Sequence, residues 1–332
     1  MTRLFVKDLE FGMSIVGQVF LLAEWTLAHT KAGSPYLKAT LADRTGRLEA
    51  RYWDVPEYVA EQLETGSGVR VDGIVEEYPQ GSGQRQVRIE HLVPVEVREP
   101  KDFVPRTKRD PAEMQRELTE VLQRIEDPYL SRLLEGIFSD REFHATFVEA
   151  PAAKAYHHAY IGGLLEHSLA VVRLCSFVSG EYPEIDRDVL LTAAILHDVG
   201  KARAYTTGPV LEYTDEGKLV DHIVEGTVMV QTAIEGIEGF PQELRNRLLH
   251  AILAHHGARE RGSPVEPKTL EALAVHHADW LDGNIRGFLD FAESEPISED
   301  GWTPYSRMFG TNLYPGPAEP SGEVDEEGEI PF

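Results

Sequence analysis

Short segments of alternating apolar and polar residues fill the first 98 residues, and they predict strands. The segments are rich in β-branched and aromatic residues and are separated by turn sequences such as "KAGSP" and "DRTG". Five strands are predicted, with a short polar helix, "PEYVAEQLETG", between the third and the fourth. That order is typical of a small barrel of the OB type. Such barrels commonly bind single-stranded nucleic acid; a role in protein contacts alone is the alternative.

From residue 112 the spacing of apolar residues becomes that of helices, and it remains so to about residue 292. Between the two parts, residues 99–111 contain three prolines and mixed charge, which predicts a linker. The predicted fold class is therefore multidomain: an N-terminal all-β OB-like barrel at residues 1–98, followed by an all-α domain at residues 112–292. Eight helices are predicted, near residues 112–126, 129–138, 140–149, 161–178, 187–198, 219–235, 242–256 and 268–282.

The last segment, residues 293–332, changes composition along its length. It contains the aromatic stretch "WTPYSRMFGTNLYPG" and ends in acidic residues with Pro and Gly. We expect the aromatic part to dock on a domain and the acidic end to be disordered.

The overall composition is that of a soluble globular protein, with 42% hydrophobic and 27% charged residues among 332. A formal net charge of −24 disfavours a basic surface for nucleic acid, but a local groove or bound metal ions can still supply positive charge. The single cysteine, Cys175, cannot form an internal disulfide. We find no signal-peptide pattern and no apolar run near the roughly 20 residues of a membrane span. A reduced, cytoplasmic setting without a membrane partner is expected.

Histidine and aspartate residues recur on the apolar faces of the predicted helices. A single buried histidine is usually an ordinary core residue, but several unpaired ionisable groups would together cost several kcal/mol. Metal ions remove that cost, because neutral imidazole and carboxylate groups are good ligands for Mn, Fe, Co or Zn. The absence of thiolates from the set disfavours a structural zinc site. The predicted metal ligands are His167, His197, Asp198, His222, His255, His256 and Asp279.

The number and order of these residues predict two ions. Four of them, in the order His…His-Asp…Asp, suffice for one ion, and the remaining histidines add a second. Neighbouring helix residues point about 100° apart, so His197 can face one ion while Asp198 reaches between both. Two ions that share a hydroxide suit the hydrolysis of a phosphate ester. The choice between the adjacent histidines of "AHHG" stays open, and Gly226, one turn after His222, predicts room for a bulky group.

The ordered set resembles a known family of enzymes. His167, the "HD" pair at 197–198 and Asp279 resemble the ligands of the HD-domain metal-dependent phosphohydrolases, and "DHI" and "AHHG" resemble the additional histidines of their two-metal subfamilies. Together with the OB-like barrel, the segments "HHAYIGGLLEHSLAVV", "AILHDVGK", "ILAHHG" and "HHADWLDG" are similar to the YhaM-type 3′-to-5′ exoribonucleases. The resemblance covers all of the chain except its acidic end.

That resemblance implies the activity and its cofactor. It implies stepwise removal of nucleotides from the 3′ ends of RNA, and also of single-stranded DNA. It also implies a divalent metal of the Mn²⁺ type, with Fe, Co or Mg as alternatives. A metal-bridging hydroxide is the expected nucleophile.

Several residues near the predicted ligands are candidates for catalysis or substrate binding. Asp198 and Lys201 are the predicted catalytic residues, because Lys201 lies three residues after Asp198 and can steady a phosphate or the bridging hydroxide. A lysine that complements a helix dipole is the alternative. His157, His158 and Arg259 are candidates for contact with the substrate.

The barrel offers its own candidates for binding the strand. Trp25, Tyr36 and Trp53 are predicted to stack on bases, an interaction worth about 1–3 kcal/mol per base. Positive charge along the strands can come from Lys38, Arg47, Arg51, Arg85 and Arg88.

Two other functions are compatible with the same residues. The chain can be a phosphohydrolase of a small nucleotide, either a cyclic phosphodiester or a nucleoside triphosphate, with a regulatory barrel. It can also be a binding protein without catalysis, in which the metals are structural. The sequence leaves the oligomeric state open, with a homo-oligomer among the alternatives.

Overall fold

The structure is a computed structural model, and it describes residues 3–30, 33–79, 81, 83–97, 102–154, 158–206 and 211–317. No helix among these residues is long and apolar enough to span a membrane.

The N-terminal part forms five strands and a short helix: β1 (Ser14–His29), β2 (Pro35–Asp43), β3 (Gly46–Trp53), α1 (Glu57–Ala60), β4 (Gly68–Glu77) and β5 (Arg85–Val95). The strands close into a barrel in the order β1-β2-β3-β5-β4, and β4 pairs again with β1. β3 and β5 run parallel, whereas the other neighbours are antiparallel. The predicted five-stranded OB-like barrel, with its helix between the third and fourth strands, is therefore confirmed.

The barrel is held together by the inward-facing side of each strand. In β2, Leu37, Ala39 and Leu41 are buried, whereas Lys38 between them is exposed. Successive side chains of a strand point to opposite faces, so this alternation fills the barrel interior and leaves the other face to solvent. Each fully buried leucine contributes about 1.5–3 kcal/mol.

The C-terminal part is helical, as predicted. Its main helices are α2 (Pro111–Gln123), α3 (Pro128–Phe138), α4 (Arg141–Glu149), α5 (Gly163–Glu181), α6 (Arg187–Leu196), α9 (His222–Glu235), α10 (Gln242–Ala254) and α11 (Leu270–Ser294); the short helices α7 (Lys201–Ala204) and α8 (Asp215–Leu219) lie between α6 and α9.

Helix α11 is longer than the sequence predicts, because it continues past residue 282 to Ser294. Gly283 and Gly287 weaken the helical signal in this stretch. The helix persists because the aromatic C-terminal segment packs on it. A Cβ atom at Gly287 would lie 2.9 Å from Met308, and the rings of Phe309 and Phe288 are 6.2 Å apart. This segment forms a small hairpin of β6 (Tyr305–Ser306) and β7 (Thr311–Asn312).

Helix α6 lies at the centre of the helical domain. Every residue from Val189 to Leu196 is buried, and α5, α10 and α11 all pack on this helix. The chain also leaves this helix inside the protein, since His197 and Asp198 are buried. The polar residues that follow Leu196 are consequently enclosed by the neighbouring helices.

The segment between the two domains packs against the helical domain. The backbone N–H of Ile161 donates to the carbonyl of Pro105 over 2.9 Å, and the N–H of Thr107 donates to the carbonyl of Ile161 over 3.0 Å. Val104 and Ile161 also share a small apolar cluster with Leu211. These contacts fix the path of the chain as it enters the helical domain.

Candidate metal centre

The predicted ligands lie on or directly after α6 and four other helices that surround its end. His197 and Asp198 directly follow α6 and are 0% and 1% exposed. His167 lies within α5, and Asp279 lies within α11. The remaining ligands lie where other helices begin or end, with His222 as the first residue of α9 and His255–His256 directly after α10.

A glycine allows α9 to begin next to the end of α6. A Cβ atom at Gly200 would lie 2.1 Å from the backbone oxygen of His222, so only glycine permits this approach. The backbone of Gly200 in turn fills the space beside Gly226, where a Cβ atom would lie 3.0 Å from the Gly200 nitrogen. The predicted room for a bulky group at Gly226 is therefore wrong, because close helix packing occupies it.

One half of the centre, here called the first half, consists of His167, His197 and Asp279. The Nε2 atom of His167 lies 3.2 Å from Nε2 of His197 and 3.2 Å from Oδ1 of Asp279. Oδ2 of Asp198 lies 3.4 Å from Nε2 of His167 and 3.3 Å from Nε2 of His197. These ligand atoms are close enough to bind a single ion.

The second half consists of His222, His255 and His256, whose ligand atoms also cluster. Oδ1 of Asp198 lies 3.4 Å from Nε2 of His222 and 3.5 Å from Nε2 of His255. The ring of His256 lies 4.4 Å from that of His255, centroid to centroid. Asp198 therefore presents one oxygen to each half. All seven predicted ligands lie together, and both histidines of "AHHG" belong to the cluster.

Hydrogen bonds fix the orientation of the ligand rings. In each of five histidines, Nδ1 contacts an oxygen that can only accept a hydrogen bond, so Nδ1 carries the proton. Nε2 then presents its lone pair to the centre, which is the tautomer that a metal ion requires. The Nδ1 partners are Asp282 for His167, Ala194 O for His197, Asp221 for His222, Ile252 O for His255 and Arg261 O for His256.

The carboxylate behind His167 was not predicted from the sequence. Oδ2 of Asp282 accepts hydrogen bonds from Nδ1 of His167 over 2.7 Å and from Nε2 of His158 over 2.9 Å. Nδ1 of His158 then accepts the hydroxyl proton of Tyr160 over 2.8 Å. The signal that could have identified Asp282 is its position three residues after Asp279, on the same face of α11.

The charges around the two halves differ. Burial lowers the pKa of His167, but hydrogen bonds that its protonated ring donates to Asp198 and Asp279 outweigh it, and the pKa is raised. Burial together with the neighbouring histidines His255 and His222 lowers the pKa of His256 to about 3. The first half therefore favours a positive charge strongly, and a metal ion can supply that charge in place of a proton.

Several buried polar atoms of the centre have no hydrogen-bond partner among the described residues. They include Nε2 of His222, Nε2 of His255 and Oδ1 of Asp198. A buried polar group without a partner costs about 1–3 kcal/mol, so a cluster of them calls for an explanation. Neutral imidazoles and carboxylates that face one another without protons fit divalent metal ions. The residues present therefore fit the metal that the sequence predicts.

The other predicted site residues of the helical domain lie at varying distances from the centre. Nζ of Lys201 lies 2.6 Å from Oδ2 of Asp198, whereas Arg259 is exposed on the turn after α10. His158 is buried behind His167, with both ring nitrogens hydrogen-bonded, so its predicted contact with substrate would require these bonds to break. His157 lies outside the described residues.

In the barrel, two of the three predicted aromatic residues form an accessible pair. The rings of Tyr36 and Trp53 stack at 4.8 Å, and Trp53 is exposed. Trp25 packs partly against the barrel core. The predicted cationic side chains are mostly engaged, since Arg47, Arg51 and Arg88 form ion pairs with glutamates, and Arg85 donates to a backbone carbonyl.

Two protein-family models match the chain. Residues 164–284 match the HD domain, and residues 13–95 match the OB-fold nucleic acid binding domain. These matches confirm the predicted fold class, because each model covers the domain for which it was expected.

Named relatives match most of the chain. The 3′-5′ exoribonuclease YhaM of Listeria welshimeri is 31% identical over 283 residues, which cover 84% of this chain and 88% of that protein. The protein of the same name from Bacillus subtilis is 31% identical over 274 residues, covering 81% and 85%. Among solved structures, the second OB-fold domain of replication protein A from Methanococcus maripaludis aligns with 29% of this chain and 97% of its own, at 17% identity and a TM-score of 0.23. The two bacterial relatives establish the predicted family: the chain belongs to the YhaM family of 3′-5′ exoribonucleases.

Proposed function

We propose that the helical domain holds two divalent metal ions and removes nucleotides one at a time from the 3′ end of RNA, and also of single-stranded DNA. The position of Asp198 carries the proposal of two ions. Its two oxygens face different sets of histidines, at 3.3–3.5 Å from their Nε2 atoms. A carboxylate placed in this way can bridge two ions, whereas a single-ion site would leave the second set of imidazoles unused.

The metal supplies the chemistry that these side chains lack. When bound, divalent ions lower the pKa of water and stabilise the negative charge that develops on a phosphodiester during hydrolysis. We expect Mn²⁺, with Fe, Co or Mg as alternatives.

The protein's own residues would keep this site ready for the ions. Burial raises the pKa of Asp198, but the positive charge of Lys201 and the contacts with His197 and His167 outweigh it, so the pKa is lowered and the carboxylate stays ionised. Lys201 also fixes the side chain of Asp198 by direct contact. The Nδ1 hydrogen bonds of the histidines keep their Nε2 lone pairs directed into the centre, so little reorganisation is needed when metal binds.

The barrel would capture the single strand. The stacked and accessible pair of Tyr36 and Trp53 offers a flat apolar surface on which a base can stack. Stacking of this kind tolerates any base, which suits an enzyme that degrades strands of varied sequence.

The first test is incubation of the purified protein with 5′-labelled single-stranded RNA and Mn²⁺. We expect a ladder of labelled products that shortens from the 3′ end and disappears when a chelator is added. The same assay with single-stranded DNA tests the second substrate. An intact RNA strand, together with hydrolysis of a cyclic dinucleotide or a nucleoside triphosphate, would contradict the proposal and favour a small-nucleotide phosphohydrolase.

The role of the barrel is tested by replacing its aromatic pair. The double variant Tyr36→Ala/Trp53→Ala should weaken RNA binding by about tenfold or more, since each stacked base contributes about 1–3 kcal/mol. The matched control is Tyr182→Ala, which removes an exposed aromatic ring at the end of α5. Equal RNA affinity of the two variants would show that the pair does not contact the strand.

A further inference from the structure

A large cleft separates the barrel from the helical domain. Its volume is about 960 Å³, and it is lined by both domains and by the segment that joins them. On the barrel side it contains Lys7 and Arg44, and the connecting segment contributes Arg106. On the helical side it contains Tyr160 and Arg286. We call this feature the interdomain cleft.

The cleft concentrates positive charge in a strongly acidic protein. Lys7, Arg44 and Arg106 are exposed, and among the described residues none of the three forms an ion pair with a carboxylate. This distinguishes them from the barrel arginines Arg51 and Arg88, which are paired with glutamates of their own strands. Unpaired cations attract phosphate groups, because no internal carboxylate competes for them.

The acidic residues of the cleft are largely neutralised. Arg286 pairs with Asp290 at 2.5 Å, and Lys108 pairs with Glu293 at 2.6 Å. Glu166 accepts a hydrogen bond from the hydroxyl of Thr107 over 2.5 Å. The Thr107 hydroxyl is neutral, so Glu166 keeps its negative charge, but the three unpaired cations outnumber it among the described residues of the cleft.

One face of α11 runs from the cleft to the metal centre. Arg286, Asp290 and Glu293 line the cleft, and they lie on the same face of α11 as Asp279 and Asp282, since the intervals are three or four residues. From Asp279 to Glu293 the helix rises about 21 Å, at 1.5 Å per residue. One continuous helix face thus joins the first half of the centre to the edge of the barrel.

We propose that the interdomain cleft binds the phosphate backbone of the RNA strand between the barrel and the metal centre, through Lys7, Arg44 and Arg106. This inference rests on the proposed function, because it assigns the cleft to the substrate of that activity. The three cations act as phosphate contacts and carry no base specificity.

The test is the binding of an unstructured, fluorescently labelled RNA to the full-length protein in the presence of a chelator, measured by anisotropy at several salt concentrations. The cleft variant is Lys7→Gln/Arg44→Gln/Arg106→Gln. The control, with the same change in charge, is Arg116→Gln/Arg124→Gln/Arg132→Gln; these residues lie on α2, directly after α2 and on α3, all outside the cleft. A third variant, Lys7→Arg/Arg44→Lys/Arg106→Lys, keeps the charge.

We expect the cleft variant to bind RNA about tenfold more weakly near physiological salt, with affinity retained in the other two variants. Each phosphate contact on a single strand contributes about 0.7 to the slope of log affinity against log salt concentration, so the loss of three contacts should make the slope shallower by about two. Equal slopes for the cleft variant and its control would overturn the proposal.

A second readout separates the cleft from the catalytic proposal. With Mn²⁺, the ratio of kcat/KM for a long RNA to that for a dinucleotide should fall about tenfold in the cleft variant, because only the long strand reaches the cleft. An equal loss on both substrates would contradict a backbone contact remote from the centre. If the wild-type protein binds RNA with the expected salt dependence but does not hydrolyse it, the proposed function fails while the cleft proposal stands.

Discussion

The two halves of the metal centre share Asp198 but differ in what surrounds them. The first half includes the carboxylate of Asp279, and Asp282 stands behind His167. The second half has three histidines and only one oxygen of Asp198. The structure thus places more negative charge around the first half than around the second.

This difference predicts unequal metal affinities. Carboxylates stabilise a divalent ion by charge, whereas neutral imidazoles do so only through their lone pairs. We therefore infer that the first half binds its ion more tightly than the second, and that the second ion dissociates first.

The largest effect is expected from removing the residue common to both halves. Asp198→Ala should reduce hydrolysis by about a thousandfold or more, because the ions contribute several kcal/mol to stabilising the transition state and both would lose a ligand. RNA binding should remain, since the barrel and the cleft are unchanged. The measurement is single-turnover hydrolysis of labelled RNA alongside anisotropy in chelator; retained activity in a metal-replete assay would exclude the bridging role.

Removing one ligand from each half tests the difference between them. His222→Ala should retain about one bound ion per chain, in the first half, whereas His197→Ala should retain less than one, because the second half lacks a carboxylate of its own. Both should lose roughly a hundredfold or more in activity. Metal content after dialysis, measured by mass spectrometry, distinguishes the two variants. Equal retention would show that the halves have similar affinities.

Short-range patterns in the sequence predict most of the helices and strands, because the buried side chains of each element recur at the period of a helix or a strand. The alternation in β2 and the apolar run of α6 depend on residues a few positions apart, so periodicity is sufficient to find them. Their ends are harder to locate. Gly287 weakens the signal of α11, and the helix continues there because Met308, distant in sequence, packs on it.

The metal ligands could be predicted for a different reason. A histidine or aspartate on an apolar face, such as His167, is conspicuous because burial of an unpaired polar group is costly. Asp282 gives no such signal, because its side chain is 17% exposed and an acidic residue on a partly exposed helix face is ordinary. Lys7 and Arg44 come together through the fold of the barrel, and the packing of the connecting segment adds Arg106, so no local pattern encodes the set.

The next prediction compares the carboxylates that orient a histidine in each half. Asp282→Asn should weaken metal binding or activity by about 10–100-fold, since loss of a residue that hydrogen-bonds to a metal-ligating histidine commonly has an effect of that size. Asp221→Asn, its counterpart behind His222, should have a smaller effect, because the Asp221 side chain is 62% exposed and water can replace its hydrogen bond. The Mn²⁺ concentration that gives half-maximal activity measures both, and a larger effect at Asp221 would reverse the assignment of the tighter half.

The smallest effect is expected at Tyr160, the last residue in the series of hydrogen bonds from His167 through Asp282 and His158. Tyr160→Phe removes the hydroxyl that donates to Nδ1 of His158 while keeping the ring that lines the interdomain cleft. One such hydrogen bond is worth about 1 kcal/mol, so the half-maximal Mn²⁺ concentration should rise by about fivefold or less. His158 hydrogen-bonds to Asp282, which orients His167 in the first half, so the change should affect the tighter ion. The salt dependence of RNA binding should remain as in the wild type. A shift in RNA affinity without a shift in Mn²⁺ dependence would instead place the Tyr160 hydroxyl among the contacts to the strand, and would show that Asp282 holds His167 without help from this residue.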